Sequence, residues 1–401
     1  MPTHPLQRLW EKETRIVAGL MSGTSLDGVD AAIARIEGSG RALKLEQLAF
    51  VSVPYPEELR RVLLFNSAPE TSDVKELSQL NFRVVREYVS ALQEAARAAG
   101  IALEEIDLIG SHGQTVHHVP DAEACAGEPT VSTLQIGDPS VLANLVRIPV
   151  VGDFRVADMA LGGQGAPLVP YFDYAVFTDE RETRGLLNLG GIANITVLPK
   201  SGEIADVLAF DTGPANMVID QLTARFYGEQ YDRDGRHASN GRVIDELLDV
   251  LMEDRYFAQP PPKSTGRERY GAAYLKAFLA GDRTVRQPSA SPDDLIATAT
   301  ALTARSVYDA YERFIRDRHT LDVLIVSGGG MHNPFLMGKL AEYFAPIPVR
   351  TVEEYGIDSD AKEALCFAVL AHEAVNGVPT SMPSVTGASR ATLLGKMCIP
   401  G

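Results

Sequence analysis

The segment Leu20-Met21-Ser22-Gly23-Thr24-Ser25-Leu26-Asp27-Gly28-Val29-Asp30 lies between two apolar runs, Ile16-Val17-Ala18 and Ala31-Ala32-Ile33-Ala34. That pattern predicts a strand, a tight turn and a second strand, so the chain begins with a hairpin. Gly23 and Gly28 let backbone approach a ligand, Thr24 and Ser25 offer hydroxyl donors, and Asp27 suits water on a hard cation. A phosphate is the natural guest of such a turn, although a plain Gly-Thr-Ser turn reads the same way. The strand-to-helix phosphate loop, Gly-x-x-x-x-Gly-Lys-Ser/Thr, is absent.

The rest of the chain alternates strand-like and helix-like segments. Residues 43–53 read as a strand. Ser72 reads as a helix cap, followed by Leu77, Leu80, Val84, Tyr88 and Leu92 at helical spacing until Gly100. Ile106–Gly110 predicts a short buried strand ending in Ser111-His112-Gly113-Gln114-Thr115. Ile148–Gly152 predicts another, which delivers Asp153, Phe154 and Arg155. Strands that present polar groups at their C-terminal ends are how an α/β sheet builds a ligand crevice. Near Arg181 the pattern restarts: residues 184–197 are again strand, glycine turn (Gly190-Gly191), strand, a loose echo of residues 16–36. A strand ending at Phe210 leads into Asp211-Thr212-Gly213-Pro214, then a helix from Met217 to Phe226. Ser291-Pro292-Asp293-Asp294 is a helix start, Val323–Val326 a buried strand that opens into Gly328-Gly329-Gly330, and residues 362–375 a last helix.

At 401 residues two domains are expected, and 45% hydrophobic with 22% charged residues describes a soluble globular chain. A net charge of −16 argues against nucleic acid as a partner, but a glycine turn with a divalent cation still holds a phosphorylated ligand. No run is long and apolar enough for a membrane span. The polar start of the chain lacks the apolar core of a signal peptide. Three scattered cysteines, Cys125, Cys366 and Cys398, fit neither a disulfide framework nor a zinc site and suit a reducing cytoplasm.

Three glycine turns after apolar strands, at 23–25, 190–191 and 328–330, together match the needs of a nucleotide: two turns on the phosphates and one on the nucleoside. Asp211 is either the cap of the helix after it or a general base. His112 is either a satisfied buried histidine or a substrate contact. Arg155 and Asp158, beside Leu161-Gly162-Gly163-Gln164-Gly165, are either an ordinary ion pair or a recognition pair for a carboxylate-bearing or polyhydroxylated ligand. Pro260–Arg267 reads as a stiffened loop lining a cleft, with no role assigned to Lys263-Ser264-Thr265-Gly266.

These pieces, with Gln135-Ile136-Gly137-Asp138-Pro139, Asp153–Pro170, Asn188–Asn194 and Ser327–Asn333, resemble the anhydro-N-acetylmuramic acid kinase family of the sugar kinase, Hsp70 and actin-like superfamily, over nearly the whole chain. The polar arm before Arg15 lies outside the pattern and reads as mobile; residues 121–129 read as a surface insertion. The resemblance implies an α/β, two-domain actin-like (ribonuclease H-like) ATPase fold with an interdomain cleft. Domain I would be residues 1–180 completed by 358–401, and domain II residues 181–357. It further implies ATP with Mg²⁺ and a substrate, 1,6-anhydro-N-acetylmuramic acid, that is opened and phosphorylated in peptidoglycan recycling, by a cytoplasmic homodimer.

By the same resemblance Asp211 activates water, and Gly23, Thr24, Ser25, Leu26, Asp27, Gly28, Val29 and Asp30 hold phosphate, with Asp27 orienting Mg²⁺ through water. Gly190 and Gly191 close over the phosphates and Gly328, Gly329 and Gly330 take the nucleoside. Ser22, Ser111, His112, Arg155, Asp158 and Glu363 are the expected sugar contacts. Two rival readings stand beside this one: a sugar kinase acting on a free hydroxyl, and a non-catalytic ATP-dependent binding module.

Overall fold

The computed structural model describes residues 5–23, 26–284 and 290–401. The chain divides into two compact units, one of residues up to Phe177 together with Gly356–Gly401, the other Thr178–Tyr355.

The first unit is built on a sheet whose strands are β1 (Thr14–Ser22), β2 (Gly28–Glu37), β3 (Lys44–Pro54), β4 (Leu108–Cys125), β5 (Glu128–Ile136) and β6 (Val150–Gly152). In the second unit the strands are β7 (Arg184–Leu189), β8 (Ile192–Leu198), β9 (Leu208–Pro214), β10 (Val323–Ser327) and β11 (Val349–Thr351); β12 (Lys396–Cys398) returns to the first. The two sheets share one plan. Strands β1-β2-β3 form an antiparallel meander, β4 runs parallel to β1, and β6 parallel to β4. In the same way β7-β8-β9 is an antiparallel meander, β10 is parallel to β7, and β11 parallel to β10. Five strands of each sheet therefore share one order, β3-β2-β1-β4-β6 and β9-β8-β7-β10-β11, with only the second of them reversed, which is the actin-like, ribonuclease H-like arrangement; β5 and β12 are antiparallel additions to the first. The echo between residues 16–36 and 184–197 is the first hairpin of each unit.

Burial explains the strand sequences. Ala18, Leu20, Ala31 and Ile33 face a core shared with Val85, Tyr88, Leu92 and Ala95 of the helix Val85–Ala99. On the opposite face Gly19 and Gly110, directly paired across β1 and β4, receive the helix Lys362–Asn376. A Cβ on Gly19 would lie 1.8 Å from the Ala364 carbonyl oxygen, and one on Gly110 would lie 1.9 Å from that of Phe367. In the second unit the helix Pro292–Ala310 is interior along nearly its whole length. Its Thr298, Thr300 and Thr303 hydroxyls donate to the carbonyls of Asp294, Ile296 and Ala299, so the buried polar groups are satisfied.

Four expectations change. The helix expected from Ser72 is two helices, Val74–Arg83 and Val85–Ala99, and its cap is Asp73, whose carboxylate accepts from the Lys75 and Glu76 amides. Strand β4 does not stop at Gly110 but runs on through Ser111–Thr115, because these residues pair with β5 and β6. Strand β9 continues past Phe210 to Pro214. Residues 1–4 of the arm before Arg15 lie outside the described residues, and the rest is docked through Leu9 and Trp10. Pro5–Glu11 is a helix, Arg15 donates to the Leu9 carbonyl at 2.9 and 2.6 Å, and Trp10 Nε1 donates to the Val375 carbonyl at 3.1 Å. Residues 121–129 form the exposed tip of the β4–β5 hairpin.

The glycine seat of the last helix sets the first prediction. Gly19→Ala forces backbone apart rather than a flexible side chain, and overpacking of this kind costs about 1–3 kcal/mol or more. Denaturant unfolding should show a loss of that size, with Gly110→Ala behaving alike.

Candidate functional site

In the first unit the hairpin turn between β1 and β2 is tied down from several sides. Gln114 Nε2 donates to the Gly23 carbonyl at 2.7 Å, and the Tyr55 hydroxyl lies 3.0 Å from Ser22 Oγ and 3.1 Å from Gln114 Oε1. The Tyr55 amide donates to the Asp27 carbonyl and Arg60 to that of Leu26. Thr24 and Ser25 lie outside the described residues. The Leu26 and Val29 side chains belong to the core, so only their backbone is left for a phosphate. Asp27 is exposed and Asp30 half-buried. Burial raises the Asp30 carboxyl, Ser52 lowers it, and the charges of Asp27 and Asp360 raise it again.

Behind the turn stands a strut. Arg155 donates through Nε and Nη2 to His112 Nε2, at 3.1 and 2.9 Å, and through Nη1 to the Gly165 carbonyl at 2.7 Å. A nitrogen that accepts from a guanidinium carries no proton. The His112 proton is thus on Nδ1, which lies 3.3 Å from the Ser22 carbonyl. Burial, and then Arg155, push His112 down to about 3, so it stays neutral. Its ring packs on Phe367, with centroids 4.7 Å apart.

Several expected sugar contacts have other work. Asp158 is fully buried, accepting from the Gly165 amide at 2.8 Å and the Thr386 hydroxyl at 2.7 Å. It is neither Arg155's ion-pair partner nor open to a ligand; the two residues grip the Gly165 peptide from opposite sides. Ser22 and Ser111 are each 2% exposed, and the Ser111 hydroxyl has no hydrogen-bond partner among the described residues. His112 is equally buried. Of this set Arg155, half-buried, and Glu363, exposed at the start of its helix, remain reachable. Glu363 is crowded despite its exposure. Desolvation and the Asp30 charge raise its carboxyl, while Lys362 and Arg155 lower it.

In the second unit the glycine turns meet at one corner. Ser327 pairs with Asn188, and Gly328, at φ +81°, sits where a Cβ would fall 2.6 Å from Asn188 Oδ1. Here the chain needs the left-handed region and the space at once. Gly330 is packed on Leu189 in the same manner. Asn216 Nδ2 donates to the Leu189 carbonyl, while the Ala215 and Met217 amides donate to that of Gly191 and the Asn216 amide to that of Gly190. Turns 190–191 and 328–330 are therefore brought together around Asn216.

Asp211 is held near this corner by β9. It does not cap the following helix, whose cap position is Ala215. Its carboxylate Oδ2 accepts from the Thr265 amide at 2.9 Å, its own amide donates to the Lys263 carbonyl at 3.1 Å, and its carbonyl accepts from the Tyr256 hydroxyl at 2.9 Å. Oδ1 has no partner among the described residues. Burial pushes the carboxyl up to about 6, against the Thr265 amide, with Glu268 raising it further and Lys263 lowering it. A half-buried carboxylate with one oxygen clamped and one available is equipped to take a proton at neutral pH.

Sequence reasoning named the 263–266 loop without a role and passed over Tyr55, Gln114, Asn188, Asn216 and Tyr256. The asparagines two and three positions from a glycine were the available signal; the Thr265–Asp211 bond spans 54 positions and has none. Among the described residues no three His, Cys, Asp or Glu side chains gather as a metal site, and no helix is long and apolar enough to cross a membrane.

Two units of this topology, each with a glycine turn between its first two strands, and a carboxylate on the third strand of the second unit, define an actin-like phosphotransferase class. The comparison with known proteins is more specific. The family model described as anhydro-N-acetylmuramic acid kinase matches residues 15–400, and the chain belongs to that family. Relatives bearing that name are 54% identical in Salinibacter ruber, over 99% of both chains, and 44% identical in Caldanaerobacter subterraneus, over 98% of this chain and 99% of the relative. A third, from Clostridioides difficile, is 41% identical over 94% of this chain and 97% of its own.

The strut carries its own prediction. Burial, Arg155 and His118 hold His112 down; replacing Arg155 by Met removes the second of these, so its apparent pKa should rise from about 3 while staying below 6.5. Histidine ¹H–¹⁵N NMR correlations across a pH series would show this, and in the parent protein they should report the Nδ1–H tautomer.

Proposed function

We propose that this chain is an ATP-dependent kinase that opens the 1,6-anhydro ring of 1,6-anhydro-N-acetylmuramic acid and phosphorylates O6, giving N-acetylmuramic acid 6-phosphate and ADP in peptidoglycan recycling. Membership of the family supports the substrate and the reaction. The observation that carries the chemistry is Asp211, fixed through Oδ2 with Oδ1 available.

In the anhydro sugar O6 is an ether oxygen and has no proton to lose. Asp211 therefore takes a proton from water, the water oxygen bonds to C1, the C1–O6 bond breaks, and the electron pair left on O6 attacks the γ-phosphorus as ADP departs. Phosphoryl transfer of this kind is governed by positioning and charge stabilisation. Gly23–Asp30, and Gly190 and Gly191, would hold the phosphates, and Gly328–Gly330 the nucleoside. Arg155 and Glu363 are the sugar contacts this structure leaves reachable.

Mg²⁺ fits the residues present. The charges of Asp27 and Asp360 raise Asp30, and that of Asp30 raises Glu363, and a cation beside Asp30 would relieve that repulsion. Asp27 and Asp30 would hold it through water, and it would neutralise charge developing on the phosphates. Family membership also supports a cytoplasmic homodimer.

Asp211→Asn keeps an oxygen for the Thr265 amide but cannot accept a proton, and loss of a general base costs on the order of 10²–10⁴ in rate. Turnover should fall by that factor with ATP binding retained, and kcat of the parent should decline as pH drops through about 6, where Asp211 becomes protonated. A near-normal rate for the variant would refute the assignment. In heavy-oxygen water one ¹⁸O should enter at C1, read at short times before the open-chain form exchanges its carbonyl oxygen. An unlabelled product would mean that a free hydroxyl is the acceptor.

A further inference from the structure

The Lys263 side chain does not point to solvent like a loop lysine. Its ammonium lies 4.7 Å from the centre of the Tyr256 ring, 4.9 Å from that of Phe314 and 5.8 Å from that of Phe210. Nζ donates to the Tyr256 carbonyl at 3.1 Å and the Phe257 carbonyl at 3.4 Å, both in the short helix Arg255–Ala258. The side chain thus ties the 263–265 peptide to that helix. The same peptide brackets Asp211 twice, with the Lys263 carbonyl on its amide and the Thr265 amide on its carboxylate. A third tie comes from the same helix, since the Tyr256 hydroxyl donates to the Asp211 carbonyl.

We propose that Lys263 is a positioning residue for the reaction: its ammonium latches the 263–265 peptide onto the helix Arg255–Ala258, and through the Thr265 amide and its own charge it keeps Asp211 oriented and ionised. This rests on Asp211 being the base. Aromatic faces and backbone carbonyls stabilise a cation without neutralising it, whereas a carboxylate bonded directly to the ammonium would cancel its field at Asp211. The charged and titratable groups around Lys263 are Asp211 on β9, Asp309 at the end of the helix Pro292–Ala310, Arg313 just beyond it, and Tyr256; Glu268 also acts on Asp211, raising it. Burial, the largest effect, brings the Lys263 ammonium down to about 8, with Asp309 and Asp211 opposing and Arg313 assisting. At neutral pH it remains mostly charged.

The sign follows from which form each contact favours. The Thr265 amide and the Lys263 charge both favour ionised Asp211, so removing the latch raises its pKa and moves the acid limb of the kcat–pH profile to higher pH. Lys263→Met fills the aromatic box without charge or donor. At neutral pH it should lower kcat by about 10–100-fold, within the range open to general-base catalysis, while the KM for ATP changes less than twofold. Lys263→Arg, which keeps the charge, should recover at least part of kcat and return the acid limb toward its parent position. Should the Met variant not fold, as judged by circular dichroism, Lys263→Gln carries the test: it keeps an N–H for the carbonyls but loses the charge, and its acid limb must still rise. A folded Met or Gln variant with the parent's acid limb overturns the proposal. Asp211→Asn measured alongside separates the two failures. If it is inactive while Lys263→Met is normal, only the latch is wrong; if it is active, the assignment of Asp211 falls first.

Discussion

Backbone resting directly on backbone, where the helix Lys362–Asn376 meets Gly19 and Gly110, fixes the geometry of the first unit. Glycine in a strand costs roughly 0.5–1 kcal/mol of conformational entropy relative to alanine, and here two sit side by side. The return is an approach no side chain would permit, with many atoms in dispersion contact. Because the helix is held so close, its ends become reference points. Glu363 stands at its start among the hairpin's carboxylates, Phe367 backs the His112 ring, and at the far end buried Glu373 accepts from Ser39 Oγ, the Gly40 amide and the Tyr171 hydroxyl. This contact joins residues 356–401 to the sheet of the first unit.

Charge is distributed differently in the two units. Desolvation raises Asp30 and Glu363 beside the first hairpin, and the charges of Asp27 and Asp360 on Asp30, and of Asp30 on Glu363, add to it, as suits a place that a cation and phosphates would occupy together. His112 stays neutral, so the guanidinium bonded to it keeps its positive charge, which Glu363 senses. Asp211 is likewise raised chiefly by desolvation, but its partners are the Thr265 amide, which lowers it, and Glu268 and Lys263, which pull in opposite directions. A base needs proton affinity, which burial provides; a phosphate site needs fixed donors and a compensating cation, which turns and crowded acids provide.

Much of this was legible in the sequence wherever the cause is local. Alternation and glycine placement marked both first hairpins, and Ser291-Pro292-Asp293-Asp294 marked a helix start that closes as a capping box. Strand ends were misplaced where pairing, not propensity, decides them: β4 and β9 run on because partners are there to bond. Charged and hydroxyl residues near glycines were read as ligand contacts. Asp158, Ser22 and His112 are buried and bonded to scaffold partners up to 228 positions away, which no local pattern reveals. Lys263 and Thr265 were invisible for the same reason. What a loop does to a strand 50 residues earlier depends on tertiary packing that no local pattern encodes.

The placement of Asp211 shows how a duplicated plan sets a half-buried carboxylate on one third strand. From Ala193 opposite Gly213, unbroken antiparallel register would set Thr212 against Asn194; a bulge instead sets Asp211 there and leaves Thr212 as the extra residue. Thr212 is fully buried, with its hydroxyl on the Ala193 carbonyl, so the insertion is anchored rather than loose. Strand β3, the counterpart in the first unit, also carries a bulge, but against Ile33 and Ala34, well inside the strand. Its end leads instead into Tyr55, which braces the first hairpin. One topology thus yields a brace in one unit and a carboxylate in the other. The difference is where a single extra residue enters the third strand and what the chain beyond that strand can reach.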